Sequence, residues 1–553
     1  MRSVSEFPNV ADIETDILVL GAGLAGHRAA LAARECGARV TMAYAGHGAS
    51  PFVIGCNVPL GHSDPRDSAD VYFEDMMCGG YHLNDPRLVR ILADESLDAM
   101  HELVALGVPF ARQGERFLQR HLSGNTYPRS VYVAQGTGRV ILDYLAQQAK
   151  KRGIEMFAGW KAVALLRDDD AVVGCVLVKH QSNRLIAVRA RAVVLAMGGI
   201  GRLYDDSTYP ADIGATSYAL AYDAGARLID MEFVQFEPVV TVFPEGCRGM
   251  EMPTAMLGDG AHLVNAHGER FMFRYNPEHG ETRIEKARMA LCIQREIDEG
   301  RGLPDASVVF DTTVVPREKL ESYILHCKRL RSAGLEPTET GPHVRPAAHS
   351  QMGGIAIDER GWTGIPGLFA GGEAAGGVHG ASRIAGNGGS DTLVFGAVAG
   401  RGAAGGMVEA DGRDWARIVG QAVAPLHVAL NRAGAATPDE VKAVTRRIMA
   451  KSAGLYRNGT DLMAGLAQLT SIERNLGEGL RTHSLGEAVK ALEVRNMVLS
   501  ARMILESALA RTESRGAHQR RDYPRQDDEH WLKHLAISQD AAGSMALDTL
   551  PIR

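Results

Sequence analysis

Cysteine is scarce in this chain and is not clustered. The 553 residues include 7 cysteines, and no two of them form a C-x-x-C pair. Iron–sulfur clusters and structural zinc sites draw ligands that are grouped a few residues apart. We therefore expect buried or inert thiols, and neither a cluster nor a metal ion held by this chain.

Long apolar runs and an excess of basic residues are also missing. No segment approaches the roughly 20 apolar residues that a membrane span needs, and the N-terminus lacks the basic-then-apolar pattern of a signal peptide. The formal net charge of -6 gives no reason to expect nucleic acid as a partner. We expect a cytoplasmic protein without a membrane span of its own, which could still be peripheral to a membrane through partners.

The segment DILVLGAGLAG (Asp16 to Gly26) indicates a strand that runs through G-x-G-x-x-G into an Ala-rich helix. Gly21 would make the turn, Gly23 would admit a pyrophosphate, and Gly26 would let the helix pack on the strand. The acidic residue usual at the end of the second strand is absent from ARVTMAYAG (38–46). This absence counts against an ordinary NAD site.

Two glycine-rich segments carry the side chains that suit an anion. VRPAAHSQMGG (344–354) contains His349, and GGEAAGGVHGASRIAGNGG (371–389) contains His379 and Arg383. All three side chains can donate hydrogen bonds, and the glycines let the backbone approach a flat cofactor closely. This arrangement is what a carboxylate held beside a redox ring would need.

Several further motifs, in their order along the chain, resemble one family. They resemble the flavoprotein subunit of succinate dehydrogenase and fumarate reductase, with aspartate oxidase and the adenylylsulfate reductase flavoprotein as more distant relatives. The motifs are GAGLAG at Gly21, GVPF at Gly107, GTG at Gly136, DMEFVQF at Asp230, EGCRG at Glu245, GERFM at Gly268, ESRGAH at Glu513 and DDEHWLKH at Asp527.

The resemblance and the periodicity together predict the organisation of the chain. Apolar strands alternate with Ala-rich helices up to about residue 235, the pattern lapses, and it resumes from about residue 343. We expect an α/β protein with a doubly wound FAD-binding domain (1–235 and 343–410), into which an α+β capping domain (236–342) is inserted. Helical periodicity predicts a helical C-terminal domain (411–553).

FAD is the cofactor that the resemblance implies. The residues expected to bind it are Gly21, Gly23, Gly26, Ser50, Gly198, Glu373, Arg383 and Asn387. Some members attach FAD through a His that follows a Ser, but here Pro51 follows Ser50. We expect noncovalent FAD, with His47 as the alternative attachment site, and the missing link favours reductase or oxidase behaviour.

The resemblance also implies the residues that act on substrate. His349 and Arg383 would hold a carboxylate, the latter as a planar fork, while His379 would touch the flavin. Glu245 and Arg248 of EGCRG belong to the same expected site.

The family's proton donor is an arginine of the capping domain, and two residues here match it. Counting back without gaps from EIDEGRG (296–302) gives Lys286, whereas Arg283 with Arg288 reproduces the family's spacing between two arginines. Residues 283 and 286 would share one face if the segment is helical. We choose Arg283. A lysine would be the easier residue to tune by burial.

The main departure from the family is Glu237, which replaces the His of QFHPTG; Pro244 also replaces a Thr that contacts substrate. An ionised Glu237 would repel a carboxylate by about 4 kcal/mol at about 4 Å and an effective dielectric near 20. Plain succinate or fumarate in the usual pose is therefore not expected. Either Glu237 is neutral or paired, for instance with Arg248, or the substrate offers an amine or hydroxyl there, which we favour.

Three functions remain open. The first is hydride transfer between flavin and a C–C bond next to a carboxylate, with a separate iron–sulfur or other electron-transfer protein as partner. The second resembles aspartate oxidase, acting on a C–N bond, or adenylylsulfate reductase. The third is a flavoprotein subunit whose altered pocket has lost turnover. The first is our choice, because the substrate-binding residues are retained.

Overall fold

The computed structural model of the protein describes residues 11–179 and 184–552, so the N-terminal residues tested for a signal pattern lie outside it. The strands are β1 (Ala11–Leu20), β2 (Val40–Tyr44), β3 (Cys56–Asn57), β4 (Arg112–Gln113), β5 (Arg116–Phe117), β6 (Gln119–Arg120), β7 (Ser130–Val131), β8 (Glu155–Ala158), β9 (Trp160–Asp168), β10 (Ala171–Lys179), β11 (Arg184–Leu195), β12 (Leu228–Ile229), β13 (Val234–Phe243), β14 (His262–Val264), β15 (Val308–Asp311), β16 (His343–Gln351), β17 (Gly354–Ile355), β18 (Leu368–Ala370), β19 (Tyr456–Arg457), β20 (Gln519–Arg520), β21 (Lys533–Gln539) and β22 (Met545–Pro551).

The helices are α1 (Leu24–Glu35), α2 (Ala69–Gly79), α3 (Pro86–Ala105), α4 (Thr137–Lys151), α5 (Thr216–Asp223), α6 (Ala255–Gly258), α7 (Met272–Tyr275), α8 (Lys286–Asp298), α9 (Arg317–Ser322), α10 (Ile324–Ser332), α11 (Asn387–Gly405), α12 (Trp415–Ala429), α13 (Pro438–Ser452), α14 (Gly459–Glu478), α15 (Leu485–Ala510) and α16 (Asp528–Trp531). No described helix combines the length and apolar character that crossing a membrane requires.

The largest sheet has the order β8-β2-β1-β11-β10-β9, and β18 also pairs with β11. β8, β2, β1, β11 and β18 run parallel, as expected of a doubly wound fold, while β9 and β10 are antiparallel additions. The end of β1, ILVL, is fully buried because the sheet is covered on both faces. Helices α1 and α11 pack closely: a Cβ on Gly400 would lie 2.2 Å from the Ala29 carbonyl oxygen. The predicted α/β fold class is confirmed.

The capping domain is built on a second sheet, with the order β13-β16-β15-β14. β13 and β16 pair antiparallel, and helix α8 packs against both of them. The boundaries expected at residues 235 and 343 fall in these two strands. The polypeptide therefore enters and leaves the cap through neighbouring hydrogen-bonded strands.

The segment after residue 411 is helical through α15 and then departs from the helical expectation. β21 and β22 form a hairpin that joins β12 and β17 of the FAD-binding domain in one sheet. A buried ionic cluster holds this junction together: Arg511 pairs with Glu232 and Glu513, and His534 lies 2.5 Å from Asp230. The short apolar run of β21 carries no periodicity that distinguishes it from a helix turn.

Candidate active site

A cavity of about 2200 Å³ runs between the FAD-binding domain and the cap. Its wall includes the glycine-rich turn after β1 and the start of helix α8 of the cap. The sequence-predicted residues that line it are Gly21, Gly23, His47, Ser50, Gly198, Glu237, Arg248, Arg283, Lys286, His349, Glu373, His379 and Arg383. Of the remaining predicted residues, Gly26, Glu245 and Asn387 are not among its lining residues.

The glycine-rich turn leaves no room for side chains. Gly21 has a φ of +113°, and a Cβ there would lie 2.2 Å from the Ala196 carbonyl oxygen. A Cβ on Gly23 would lie 2.7 Å from Ser50 Oγ, and one on Gly26 would lie 2.1 Å from the Gly21 carbonyl oxygen. The backbone N–H of Leu24 donates to Ser50 Oγ at 2.9 Å. Because α1 begins here without a side-chain cap, its N-terminus suits a pyrophosphate.

Glu373 lines the cavity and is held by three donors on one oxygen. Its Oε1 accepts hydrogen bonds from the Gln351 backbone N–H at 3.0 Å, from Ser350 Oγ at 3.2 Å and from the Tyr209 hydroxyl. Burial raises the pKa of Glu373. Oε2 takes part in none of these bonds, so it is available to a ligand hydroxyl. Nothing in the sequence motif pointed to Tyr209 as a partner.

Asn387 is the first residue of α11 and is bound to the protein through its side-chain oxygen. Its Oδ1 accepts hydrogen bonds from Asn57 Nδ2 and from the Tyr72 hydroxyl, both at 2.7 Å. A Cβ on Gly386 would lie 2.3 Å from Asn57 Oδ1. The side chain of Asn387 therefore anchors the start of α11, whose neighbouring Gly386 and Gly388 line the cavity.

The loop after β2 places His47 beside the cavity. Its Nδ1 lies 3.1 Å from the Ala22 carbonyl oxygen, and its ring packs on Tyr44 with centroids 5.4 Å apart. Pro51 occupies a short 3-10 turn, Ser50–Phe52. The close-fitting glycines, the open end of α1 and the free oxygen of Glu373 together fit an extended dinucleotide such as FAD.

Arg383 and His349 both supply hydrogen-bond donors, and His349 does so as a neutral ring. Arg383 Nε is buried and has no hydrogen-bond partner among the described residues. His349 Nδ1 lies 3.0 Å from Thr208 Oγ1, and burial lowers the pKa of His349 to about 4, so its ring is neutral near pH 7. His379 also lines the cavity, with Nε2 3.6 Å from Asp391.

Lys286 enters the cavity from the first turn of α8. Its Nζ donates to Glu237 Oε1 at 2.7 Å and to Glu251 Oε1 at 3.2 Å. Burial favours the neutral amine, but the charges of the two carboxylates outweigh it and raise the pKa of Lys286 above its usual value. The two carboxylates, and not burial, thus decide the direction in which the pKa of this lysine is shifted.

Arg283 lies outside the helix. Because α8 begins at Lys286 and Arg283 has a φ of +52°, the two residues do not share a helix face, and that expectation is wrong. The side chain of Arg283 is exposed and lines the mouth of the cavity.

Glu237 and Glu251 have opposite protonation preferences. Burial and the neighbouring charge of Glu251 raise the pKa of Glu237 to about 7. Burial would also raise the pKa of Glu251, but the charge of Lys286 and the hydrogen bonds from Lys286 and Glu237 outweigh it and lower that pKa to about 2. Ligand atoms of Glu237, Glu251 and His349 lie within 4.8 Å of one another. Sequence reasoning missed Glu251, which follows EGCRG by two residues.

Arg248 is not the partner of Glu237, so that suggested pairing is wrong. Its guanidinium instead binds Asp206 at 2.8 Å and Glu245 at 2.9 Å. Glu245 is exposed, with 78% of its side chain accessible. The EGCRG motif therefore supplies an ion pair at the rim of the cavity.

Comparisons with known proteins show which family the chain resembles along its length. Residues 16–388 match the family described as FAD binding domain, and residues 443–553 match the fumarate reductase flavoprotein C-terminal family. A relative from the CoM/CoB fumarate reductase of Methanothermobacter marburgensis is 36% identical over 543 residues, covering 95% of this chain and 97% of that protein. L-aspartate oxidase of Streptomyces coelicolor is 31% identical over 561 residues, covering 97% and 93%.

A solved structure carries the same fold. The quinol fumarate reductase of Escherichia coli, in a mutant form, superposes with a TM-score of 0.90 at 27% identity, covering 98% of this chain and 97% of that chain. The shared fold spans the cavity, and the match to an FAD binding domain gives FAD as the cofactor. The chain belongs to the fumarate reductase and succinate dehydrogenase flavoprotein family and is an FAD-dependent oxidoreductase.

Proposed function

We propose that this enzyme adds or removes hydrogen across a C–C bond that lies next to a carboxylate. Bound FAD supplies hydride transfer, and the protein supplies the carboxylate clamp and the proton. The observation that carries the proposal is the placement of Lys286 Nζ in the same cavity as the unpartnered Nε of Arg383. A cation for binding and an acid for chemistry are thereby available on two different domains.

Arg383 and His349 are the proposed clamp for the substrate carboxylate. A buried guanidinium nitrogen without a partner is costly, and a bound carboxylate would relieve that cost through charge-assisted hydrogen bonds. Neutral His349 adds a hydrogen-bond donor without adding charge. The clamp therefore holds one carboxylate, and its strength depends chiefly on Arg383.

Lys286 is the proposed proton donor in preference to Arg283. Lys286 is half-buried in the cavity, whereas Arg283 is exposed at its mouth. With its raised pKa, Lys286 keeps its proton until a strongly basic carbon forms beside it. Glu237, 2.7 Å from Nζ and with a pKa of about 7, can then return a proton to the lysine.

FAD is proposed to be noncovalent. The residue that follows Ser50 is Pro51, and a proline cannot form a histidyl link. The ring of His47 already contacts the Ala22 carbonyl oxygen and the Tyr44 ring, which disfavours it as the attachment site.

A separate protein is proposed to exchange electrons with the flavin. All seven cysteines are described, unpaired and distant from one another in sequence, so the chain offers no cluster of its own. Relatives are named as subunits of larger enzymes, which supports an iron–sulfur or other electron-transfer partner. We place the enzyme in the cytoplasm, free or held at a membrane through that partner.

The test is anaerobic reoxidation of the reduced, FAD-loaded enzyme by unsaturated carboxylic acids, followed at the visible flavin band. At least one such acid should restore the oxidised spectrum, and Lys286→Met should slow this step strongly. Arg288→Met, an exposed change on the same helix, is the matched control. Rapid reoxidation by oxygen coupled to amino-acid oxidation, with no response to unsaturated acids, would instead identify an enzyme resembling the L-aspartate oxidases.

A further inference from the structure

The Lys286 side of the cavity is acidic, because Glu237 and Glu251 surround the lysine, and this limits the substrate. We infer that the substrate carries a single carboxylate and presents an uncharged group, such as a hydroxyl, a carbonyl or a short apolar chain, to Glu237 and Glu251. The inference rests on the proposed function and specifies its substrate class. It concerns the position where Glu237 stands in place of a family histidine.

The first argument is that little positive charge is left to bind a second carboxylate. Lys286 is the cation on this side, and both of its short contacts go to carboxylates. Glu251 balances its charge, because the low pKa of Glu251 keeps that carboxyl ionised. Any ionisation of Glu237 then makes the cluster net negative. A dicarboxylate would have to place its second anion beside this cluster, where the interaction is repulsive or at best uncompensated.

The second argument is the surface that the cluster does offer. Protonated Glu237 has a hydroxyl that can donate and a carbonyl oxygen that can accept, so it suits a neutral polar group. Phe236 and Met250, which adjoin the two acids in sequence, line the same cavity and are apolar. Neither surface has the paired donors that a carboxylate requires.

Arg248 and Arg283 are the two further cations that the sequence predicted at this site; the cavity wall also contains Arg120, Lys161, Arg202, Arg329, Lys442 and Lys490. Arg248 is neutralised by Asp206 and Glu245. Arg283 is exposed and outside helix α8, so solvent screens it. Arg283 is the competing explanation that a variant at this position separates.

The experiment compares binding of crotonate and fumarate to the oxidised, FAD-loaded full-length enzyme by titration calorimetry. The two acids share one double bond and one carboxylate, and they differ only in a methyl group against a second carboxylate. Crotonate should bind at least about tenfold more tightly than fumarate. In Glu251→Gln, fumarate should gain at least about tenfold in affinity while crotonate changes little. Glu285→Gln, an exposed acid beside Lys286, is the matched control and should leave both unchanged.

Tighter binding of fumarate than of crotonate by the wild type would overturn the inference. If Arg283→Ala then lost the preference for fumarate, Arg283 would be the residue that holds the second carboxylate. Reoxidation of the reduced enzyme keeps the two proposals apart. If fumarate alone reoxidises it, the inference falls and the proposed function stands. If neither these acids nor wider panels of mono- and dicarboxylic enoates do so, the proposed function falls and the inference with it.

Discussion

Glu237 and Lys286 lie 49 residues apart in the chain, and their carboxylate oxygen and ammonium nitrogen lie 2.7 Å apart. Each stands where the resemblance places a different residue, Glu237 for a histidine and, on the gapless count, Lys286 for an arginine. The two departures meet in one contact, since the lysine donates a hydrogen bond to a buried acid that would otherwise lack this partner. The pair therefore belongs to the chemistry of the site, and neither residue is an isolated substitution.

Removing the ammonium group should disable the proton-transfer step. Lys286→Met should lower the rate of reoxidation by an unsaturated acid by about 10²–10⁴-fold, which is the usual contribution of a general acid. Stopped-flow absorbance of the reduced enzyme measures it. Lys286→Arg, which keeps a charge but is a much weaker acid, should retain more binding than rate.

Arg288→Met and Arg283→Met should change this rate by less than about threefold if Lys286 is the donor. A larger loss in Arg283→Met than in Lys286→Met would transfer the role to Arg283. The visible flavin spectrum of each variant shows whether it still folds and binds FAD.

Binding of a substrate anion should weaken as the pH rises through about 7. The pKa of Glu237 is raised from 4.5 to about 7, so the folded protein holds this proton at pH values where the unfolded chain does not. The contribution of this proton to the free energy of unfolding is complete below about pH 4.5 and is lost as the pH rises through about 7. Over the same rise the carboxylate of Glu237 becomes ionised and repels the ligand. Calorimetric titrations between about pH 6 and about pH 8 measure this effect.

Glu237→Gln, which cannot ionise, should flatten that pH profile. Its affinity for crotonate at the lower pH should stay close to that of the wild type, because glutamine reproduces the neutral acid. An unchanged slope in Glu237→Gln would show that another group titrates.

Acid precipitation should release the flavin. Without a His after Ser50, the yellow colour should pass into the supernatant and leave a colourless pellet. Absorbance of the two fractions measures this. Flavin that stays with the pellet in the wild type but not in His47→Ala would show that His47 is the attachment site.

A methyl group at Gly26 should abolish FAD binding, or folding of the domain. A Cβ there would lie 2.1 Å from the Gly21 carbonyl oxygen, which neither strand nor helix can move to accommodate. Gly420, in the middle of α12, has nothing within 4 Å of the same position. Gly420→Ala should therefore keep its FAD and gain up to about 1 kcal/mol of stability.

The measurements are the flavin-to-protein absorbance ratio and thermal unfolding. Full flavin content in Gly26→Ala would mean that the turn is looser than its contacts indicate.

The sequence was sufficient for those features that local pattern determines. The dinucleotide turn and the alternation of strands and helices, with its interruption, follow from short-range motifs and periodicity, whereas the cap itself was implied by the resemblance. The ends of individual elements were less predictable: α8 begins at Lys286, and the hairpin β21–β22 is too short to show a clear period.

The partners of the site residues could not be predicted, because they are distant in sequence. Glu251 lies 35 residues before Lys286, and Tyr209 lies 164 residues before Glu373. Arg248 was a plausible partner for Glu237 by proximity in the chain, but it binds Asp206 and Glu245 instead. Such pairings are decided by how β13, β16 and α8 pack, which no motif records.

The entry of the chain into the cap through β13 and β16 has a mechanical consequence. Glu237 lies on β13, and Lys286 lies on the helix that packs against this strand, so these two groups form one unit. Arg383 belongs instead to the body that cradles the dinucleotide, and His349 is tied to that body by its contact with Thr208. A tilt of the cap would keep Lys286 and its two carboxylates at the same distances from one another and would change their distance to Arg383. The distance between the proton donor and the bound carboxylate would therefore limit the length of the substrates that can react.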